Sequence, residues 1–371
     1  MSLNPADDFQ EPGPLLPLRE AEIRRDFAIQ LEAAIRANPI YSDFRLNAVQ
    51  VATILYVPLC TFRLGGYLSL QDSGGQPNNE GTLRARLIAM LEPVDHFLSP
   101  GSEDDEAADD EQPEPSSTPK KRNKTQSKNC RIRDKAACVL MGTNDPHVCH
   151  IIPFSWNNSY ENLEKTSGVF FHAEAFLSRV WMKQFGGSIQ NPRVLASSDK
   201  TWNMICLNMQ MHAYWREARF GLECLGYRPG AEGESVVTLQ FNWMPRSAMK
   251  PTDEMNLQGK DSDFDRMVNS VESFWQGGSI PTSAELGQIK SGVPLISGHL
   301  IEIEMPSSDA PLFKAMIDFQ WAMVVVAALS GAADDEDSFD TYLRTMEWVE
   351  EQKSRNAARH RGVREQTPRS I

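Results

Sequence analysis

Three side chains with acid–base or metal-binding chemistry lie close together just before an apolar segment. The stretch DPHVCHIIPFSW, residues 145–156, contains His147, Cys149 and His150 within four positions. His150 opens an apolar run that continues through Phe154, and such a run is typical of a short buried strand. A histidine held by a strand can take a proton from water near neutral pH, so His150 is a candidate general base.

Two further polar residues follow at a spacing that predicts a shared site. Asn203 opens the apolar run NMICL, and His212, nine residues later, opens the segment HAYWREARFGL, which we predict as a helix. Hydrolysis of a phosphodiester needs a base to activate water and a cation to stabilise charge on the phosphate. Two strands and a helix are the smallest scaffold that can present a base, a residue that orients it and a metal-binding histidine around one phosphate.

These features resemble the HNH endonuclease family, in the form of the domain found in fungal proteins. The resemblance rests on RIRDKAACVLMGTNDPHVCHIIPFSW and TWNMICLNMQMHAYWREARFGL. These segments contain an RD…C…G lead-in that begins at Arg133, the HIIPF histidine strand, and the nine-residue step from Asn203 to His212. The resemblance covers roughly residues 130–226. It implies a ββα-metal core and metal-dependent cleavage of nucleic acid.

The resemblance also implies roles for individual residues. His150 would be the general base, Asn203 would orient it, and His212 would be a metal ligand. Cys149 stands where many members of the family carry Asp, Glu or His as a second ligand. The divalent metal ion expected from the resemblance is Mg, Mn or Zn. A thiolate ligand at Cys149 would suit Zn better than Mg.

The chain as a whole is predicted to be an α+β protein, with a helical N-terminal region and a helical C-terminal extension around the ββα-metal core. The predicted segments are a mostly helical region (1–99), a disordered charged linker (100–129), the HNH-like core (130–245), an extension with a strand (246–305), and C-terminal helices with a basic tail (306–371). Periodicity predicts helices at 17–37, 81–99, about 161–186, 211–226, 310–330 and 338–360, and strands at 236–245 and within 293–305. The segment 45–60 fits strand and helix equally well.

The charge pattern is the main evidence for partners. A net charge of −13 argues against a uniformly basic nucleic-acid coat. However, residues 101–119 contain eight acidic side chains, and residues 120–135 contain eight basic ones directly before the motif. The basic block could contact phosphates, its KKRNK stretch could be a nuclear-localisation signal, or the block could simply be solvated. We expect nucleic acid as the partner, DNA in preference to RNA.

Composition also bears on the compartment. Six cysteines in 371 residues are too sparse for a disulfide scaffold, and the N-terminus lacks the pattern of a secretory signal. The most apolar stretch, Phe319 to Ala333, contains Gln320 and is too short to cross a bilayer. We therefore expect an intracellular protein of the nucleus or cytoplasm, with no membrane partner. The sequence leaves the oligomeric state open.

Three functions remain open from the sequence. The first is an HNH-type endonuclease that uses a divalent metal. The second is a catalytically degenerate HNH-fold protein that binds nucleic acid or protein, with weak metal binding because Cys149 replaces a carboxylate. The third is a structural module that zinc stabilises through Cys149 and His212.

Overall fold

Among the residues that the structure describes, helices outweigh strands, and two small antiparallel sheets lie among them. The computed structural model describes residues 8–98, 120–177, 179–191, 193–276 and 294–334. The helices are α1 Ala21–Arg36, α2 Ala48–Tyr56, α3 Glu80–Ala89, α4 Glu92–Leu98, α5 Lys124–Arg133, α6 Tyr160–His172, α7 Glu174–Leu177, α8 Arg179–Ile189, α9 Met209–Arg216, α10 Asp263–Gln276 and α11 Ala310–Ser330. The strands are β1 His147–His150, β2 Met204–Leu207, β3 Phe220–Pro229, β4 Glu234–Trp243 and β5 Leu300–Pro306. The predicted α+β class is confirmed.

Most predicted helices are present with shifted ends. The segment that periodicity left ambiguous contains α2, which begins at a capping box formed by Asn47 and Gln50. The predicted helix at 338–360 lies outside the described residues, as does the predicted linker as far as residue 119. Residues 124–129 of that linker belong to α5, because the Asn123 side chain accepts from the first free amides of the helix.

The predicted helix at 211–226 is wrong in its second half. Helix α9 ends at Arg216, and the chain continues as β3, which pairs with β4. Apolar residues in this segment recur at helical spacing, but pairing with β4 decides the structure. Gly221 allows close packing there, since a Cβ would lie within 3.0 Å of side-chain atoms of Met244 and Trp321.

Helix α11 is the centre of one continuous hydrophobic core. It packs against α2 and β3, and the buried cluster extends from the N-terminal helices to both sheets. The helix has 21 residues and is apolar enough to cross a membrane, so it is longer than the apolar run alone suggested. However, 78% of its most apolar window is buried inside the protein, as in the core helix of a globular domain.

A pair of antiparallel strands followed by a helix forms the region of the motif. We call this strand pair the hairpin, although helices α6 to α8 lie between its strands in the sequence. Strands β1 and β2 are antiparallel, with His147 opposite Leu207 and His150 opposite Met204. Helix α9 follows β2 directly and packs against both strands. His150 therefore ends its strand and does not open one as predicted. The reason is the turn that follows, in which Pro153, which has no N–H to donate to a ladder, precedes the 3-10 helix Phe154–Trp156.

A buried ion pair fixes α5 on the other face of this hairpin. The Arg133 guanidinium donates to both carboxylate oxygens of Asp134, at 2.6 and 2.9 Å, and the two side chains are 6% and 0% exposed. The same guanidinium donates to the carbonyl oxygens of Thr201 and Met204. The Asp134 carboxylate accepts from the Cys206 amide at 2.8 Å. Together these bonds join the end of α5 to β2.

Replacing Asp134 with alanine is expected to lower the free energy of unfolding by about 3–5 kcal/mol, because the Arg133 charge would stay buried without its partner. Chemical denaturation measures the loss. The matched control is Glu161→Ala on α6, an exposed acid that pairs with Lys165. Equal effects of the two substitutions would contradict the structural role assigned to the ion pair.

Candidate active site

Asn203 forms hydrogen bonds with the backbone immediately after His150. Its Oδ1 accepts from the Ile152 amide at 2.9 Å, and its Nδ2 donates to the Ile152 carbonyl oxygen at 2.9 Å and to that of Ser198 at 3.1 Å. Its own carbonyl oxygen accepts from the Ile151 amide. Asn203 is fully buried, so these bonds are shielded from water. It therefore orients the segment that carries His150 through backbone contacts.

The His150 ring is held by a residue that the sequence analysis did not identify. Its Nε2 lies 3.0 Å from Oδ1 of Asp199, and both side chains are buried, with 2% and 4% exposed. The ring also lies 5.5 Å from the ring of Phe154, between centroids. Nδ1 is buried and has no hydrogen-bond partner among the described residues.

Two parts of the chain hold Asp199 in place. Its Oδ2 accepts from the backbone amide of Asn123, at the start of α5, at 2.6 Å. The loop before it is tied to Asn157, whose carbonyl oxygen accepts from the Ala196 amide and whose Nδ2 donates to the Ser198 hydroxyl. Asn157 lies near the end of the motif and is fully buried. Its hydrogen bonds stabilise the loop that precedes Asp199.

The predicted metal ligands lie on the opposite face of the hairpin. His147 and Cys149 share one face of β1 by strand alternation, and Val148 and His150 share the other. The His147 and His212 rings lie 5.7 Å apart, between centroids. Cys149 is 3% exposed and belongs to the main hydrophobic core. The α9 face thus has imidazole and thiol donors, which suit zinc and not magnesium.

This arrangement does not fit one cation beside His150. His150 faces α5 through Asp199, whereas His212 faces His147. Among the described residues, Cys149, His150 and His212 do not form a group with ligand atoms all within 4.8 Å of one another. The ligand roles of Cys149 and His212 stay predictions. The ring that His212 contacts is that of His147.

The described residues contain one group of potential ligands at that spacing, formed by Cys130, Asp134 and Cys206. The two Sγ atoms are 3.8 Å apart, and Asp134 Oδ2 lies 3.6 Å from Cys130 Sγ. A thiophilic cation could be held at such distances. However, the hydrogen bond with Cys206 and burial both raise the pKa of the Cys130 thiol well above its usual range.

The Asp134 carboxylate is moreover already occupied. Both of its oxygens accept from Arg133, whose guanidinium also lies 3.5 Å from Cys130 Sγ. A protonated thiol and a nearby fixed cation both oppose metal binding. We therefore interpret the group as a packed polar cluster between α5 and β2.

These features define an α+β protein in which a strand histidine is held by an asparagine, next to a hairpin–helix unit. The family comparison agrees, since residues 138–223 match the HNH endonuclease family. The range includes His150, Asn203 and His212. Residues 138–223 are therefore similar to an HNH endonuclease domain, as the sequence motifs predict. The comparison with curated proteins gave no match, and neither did the comparison with solved structures.

Replacing Asn203 with alanine is expected to release the turn after His150. The Ile152 amide would lose its acceptor, so its hydrogen exchange should accelerate, and the free energy of unfolding should fall by about 1–3 kcal/mol. Hydrogen exchange followed by NMR or mass spectrometry measures the first effect. The control is Asn162→Ala, which removes a partly buried amide that donates to Asn158. Unchanged exchange at Ile152 would refute the role of Asn203.

Proposed function

We propose that this domain is a nuclease that hydrolyses phosphodiester bonds in nucleic acid, with His150 as its general base. The observation that carries the proposal is the buried arrangement in which Asn203 fixes the backbone after His150 and Asp199 holds the ring. An imidazole fixed in this way can accept a proton without first having to be ordered. Its occurrence in an HNH endonuclease domain supports the class of reaction.

In the proposed reaction His150 takes a proton from water. The water oxygen forms a bond to phosphorus while the bond from phosphorus to the leaving oxygen breaks, and solvent protonates the leaving oxygen. Asn203 keeps the base in position through the Ile152 backbone. We assign no step to a cation, because the donors on the α9 face do not fit a hard divalent ion beside His150. A divalent requirement, usual for HNH nucleases, is part of the test below.

The basic residues before the motif provide the substrate surface in this proposal. The backbone amide of Lys120 donates to the Asn158 carbonyl oxygen at 2.8 Å, so this segment crosses the loop that follows the motif. The Arg122 guanidinium lies 5.9 Å from the centre of the Phe154 ring, which in turn contacts His150. A phosphate backbone bound along residues 120–124 would therefore lie next to the base.

A non-cleaving nucleic-acid-binding module is the second candidate. It is favoured by the burial of the His150 ring, which is 2% exposed, and by the location of His212 on the other face of the hairpin. In this alternative the HNH fold and its basic segment persist, and the histidine serves only the packing of the core.

Replacing His150 with alanine is expected to lower cleavage by at least about 100-fold, the usual contribution of a general base. Plasmid DNA and RNA are incubated with the protein and Mg, Mn or Zn in turn, and with EDTA, while circular dichroism checks folding. The control is His172→Ala, at the end of α6, whose ring contacts Tyr67. Equal cleavage by wild type and His150→Ala would reject the assignment, and binding without any cleavage would favour the second candidate.

Nucleic-acid binding is expected to depend on the exposed lysines beside the base. The double substitution Lys120→Ala and Lys200→Ala should weaken binding and reduce the slope of log affinity against log salt by about 1.8, because each phosphate contact contributes about 0.9. Binding titrations in EDTA at several salt concentrations measure the slope. Lys260→Ala, an exposed lysine between β4 and α10, is the control. A slope equal to that of the control would place the nucleic acid elsewhere.

A further inference from the structure

We propose that Asp199 is the positioning residue of the general base. Its carboxylate accepts a hydrogen bond from Nε2–H of His150 and so leaves Nδ1 as the nitrogen that takes the proton from water. This inference rests on the proposed function, in which His150 is the base. It adds a residue, a tautomer and a specific reacting atom to that function.

The chemistry of the contact decides which nitrogen carries hydrogen. An ionised carboxylate can only accept hydrogen bonds, so the 3.0 Å contact between Oδ1 of Asp199 and Nε2 of His150 requires hydrogen on Nε2. A neutral imidazole carries one ring N–H hydrogen. Nδ1 is then the nitrogen with a free lone pair, which is the form that a general base must have.

Hydrogen bonds and burial fix the orientation of the Asp199 carboxylate. Its second oxygen accepts from the Asn123 amide at 2.6 Å, and the Asp199 amide donates to the Ala196 carbonyl oxygen at 3.1 Å. With 4% of its side chain exposed, the carboxylate faces little competition from solvent. A hydrogen bond between two fixed and buried partners strongly restricts the orientation of the ring.

The surroundings of Nδ1, the other ring nitrogen of His150, also support the proposal. Nδ1 of His150 is buried and has no hydrogen-bond partner among the residues that the structure describes. Buried polar atoms are usually hydrogen-bonded to protein or to ordered water, so the lone pair of Nδ1 is open to a water molecule. The ring is thus held through Nε2, while the proton-accepting capacity of Nδ1 is not used by any described residue.

The test replaces Asp199 with asparagine, which keeps the shape of the side chain. The Asn123 amide is a fixed donor, so the oxygen of the new amide should stay on that side, and its NH₂ group should face Nε2. Nε2 would then have to accept, and the hydrogen would move to Nδ1. We expect ¹⁵N NMR of the His150 ring to show hydrogen on Nε2 in the wild type and on Nδ1 in Asp199→Asn. We expect kcat to fall by about 10²–10⁴-fold, as for the equivalent change beside a catalytic histidine in serine proteases, and KM to change far less.

Asp72→Asn is the matched control, since the Asp72 carboxylate also accepts from two backbone amides, those of Gly74 and Gln76, in the loop before α3. It should leave the His150 tautomer unchanged. Hydrogen on Nδ1 in the wild type would overturn the proposal, and this measurement decides it even if Asp199→Asn does not fold. An unchanged tautomer in folded Asp199→Asn would also overturn it. A tautomer that switches in a protein without nuclease activity would support the positioning of His150 by Asp199 and reject the nuclease function.

Discussion

The buried ion pair of Arg133 and Asp134 is the interaction on which the site depends. Taking two charges out of water is costly, and the cost is offset here because the guanidinium and the carboxylate also bond to the backbone of β2 and its lead-in. The pair therefore fixes one end of α5 against the hairpin. The other end of α5 begins at Asn123, whose amide binds Asp199. The position of the His150 ring follows from that chain of contacts.

The alternation of a β-strand explains why neighbours in the sequence have separate surroundings. Cys149 and His150 are adjacent, so their side chains lie on opposite faces of β1. The face toward α5 pairs an imidazole with a carboxylate, which is suited to proton transfer. The face toward α9 brings the His147 and His212 rings to 5.7 Å between centroids, while Cys149 on that face packs in the hydrophobic core. A cysteine in place of a hard ligand therefore matters less to the base than adjacency in the sequence suggests.

Local patterns predicted much of this fold, whereas contacts between distant segments did not show in them. The periodicity of α1, the long apolar run within α11, the alternation in β5 and the spacing from Asn203 to His212 all reflect neighbours along the chain. The helix predicted across β3 failed because its apolar spacing fits helix and strand, and only the pairing with β4 decides. Asp199 was missed because acidic residues are common in loops. Its one signal, a position four residues before Asn203, has meaning only when the loop is folded against α5.

These contacts give the basic residues before the motif a structural role. The basic block begins at Lys120 and leads directly into Asn123, whose amide donates to the Asp199 carboxylate that contacts the His150 ring. The backbone of the same segment also binds the loop after the motif. If nucleic acid binds residues 120–122, as proposed, it would lie only a few residues along the chain from Asn123, whose amide holds Asp199. In the proposed function, binding of nucleic acid and alignment of His150 would therefore depend on one short segment.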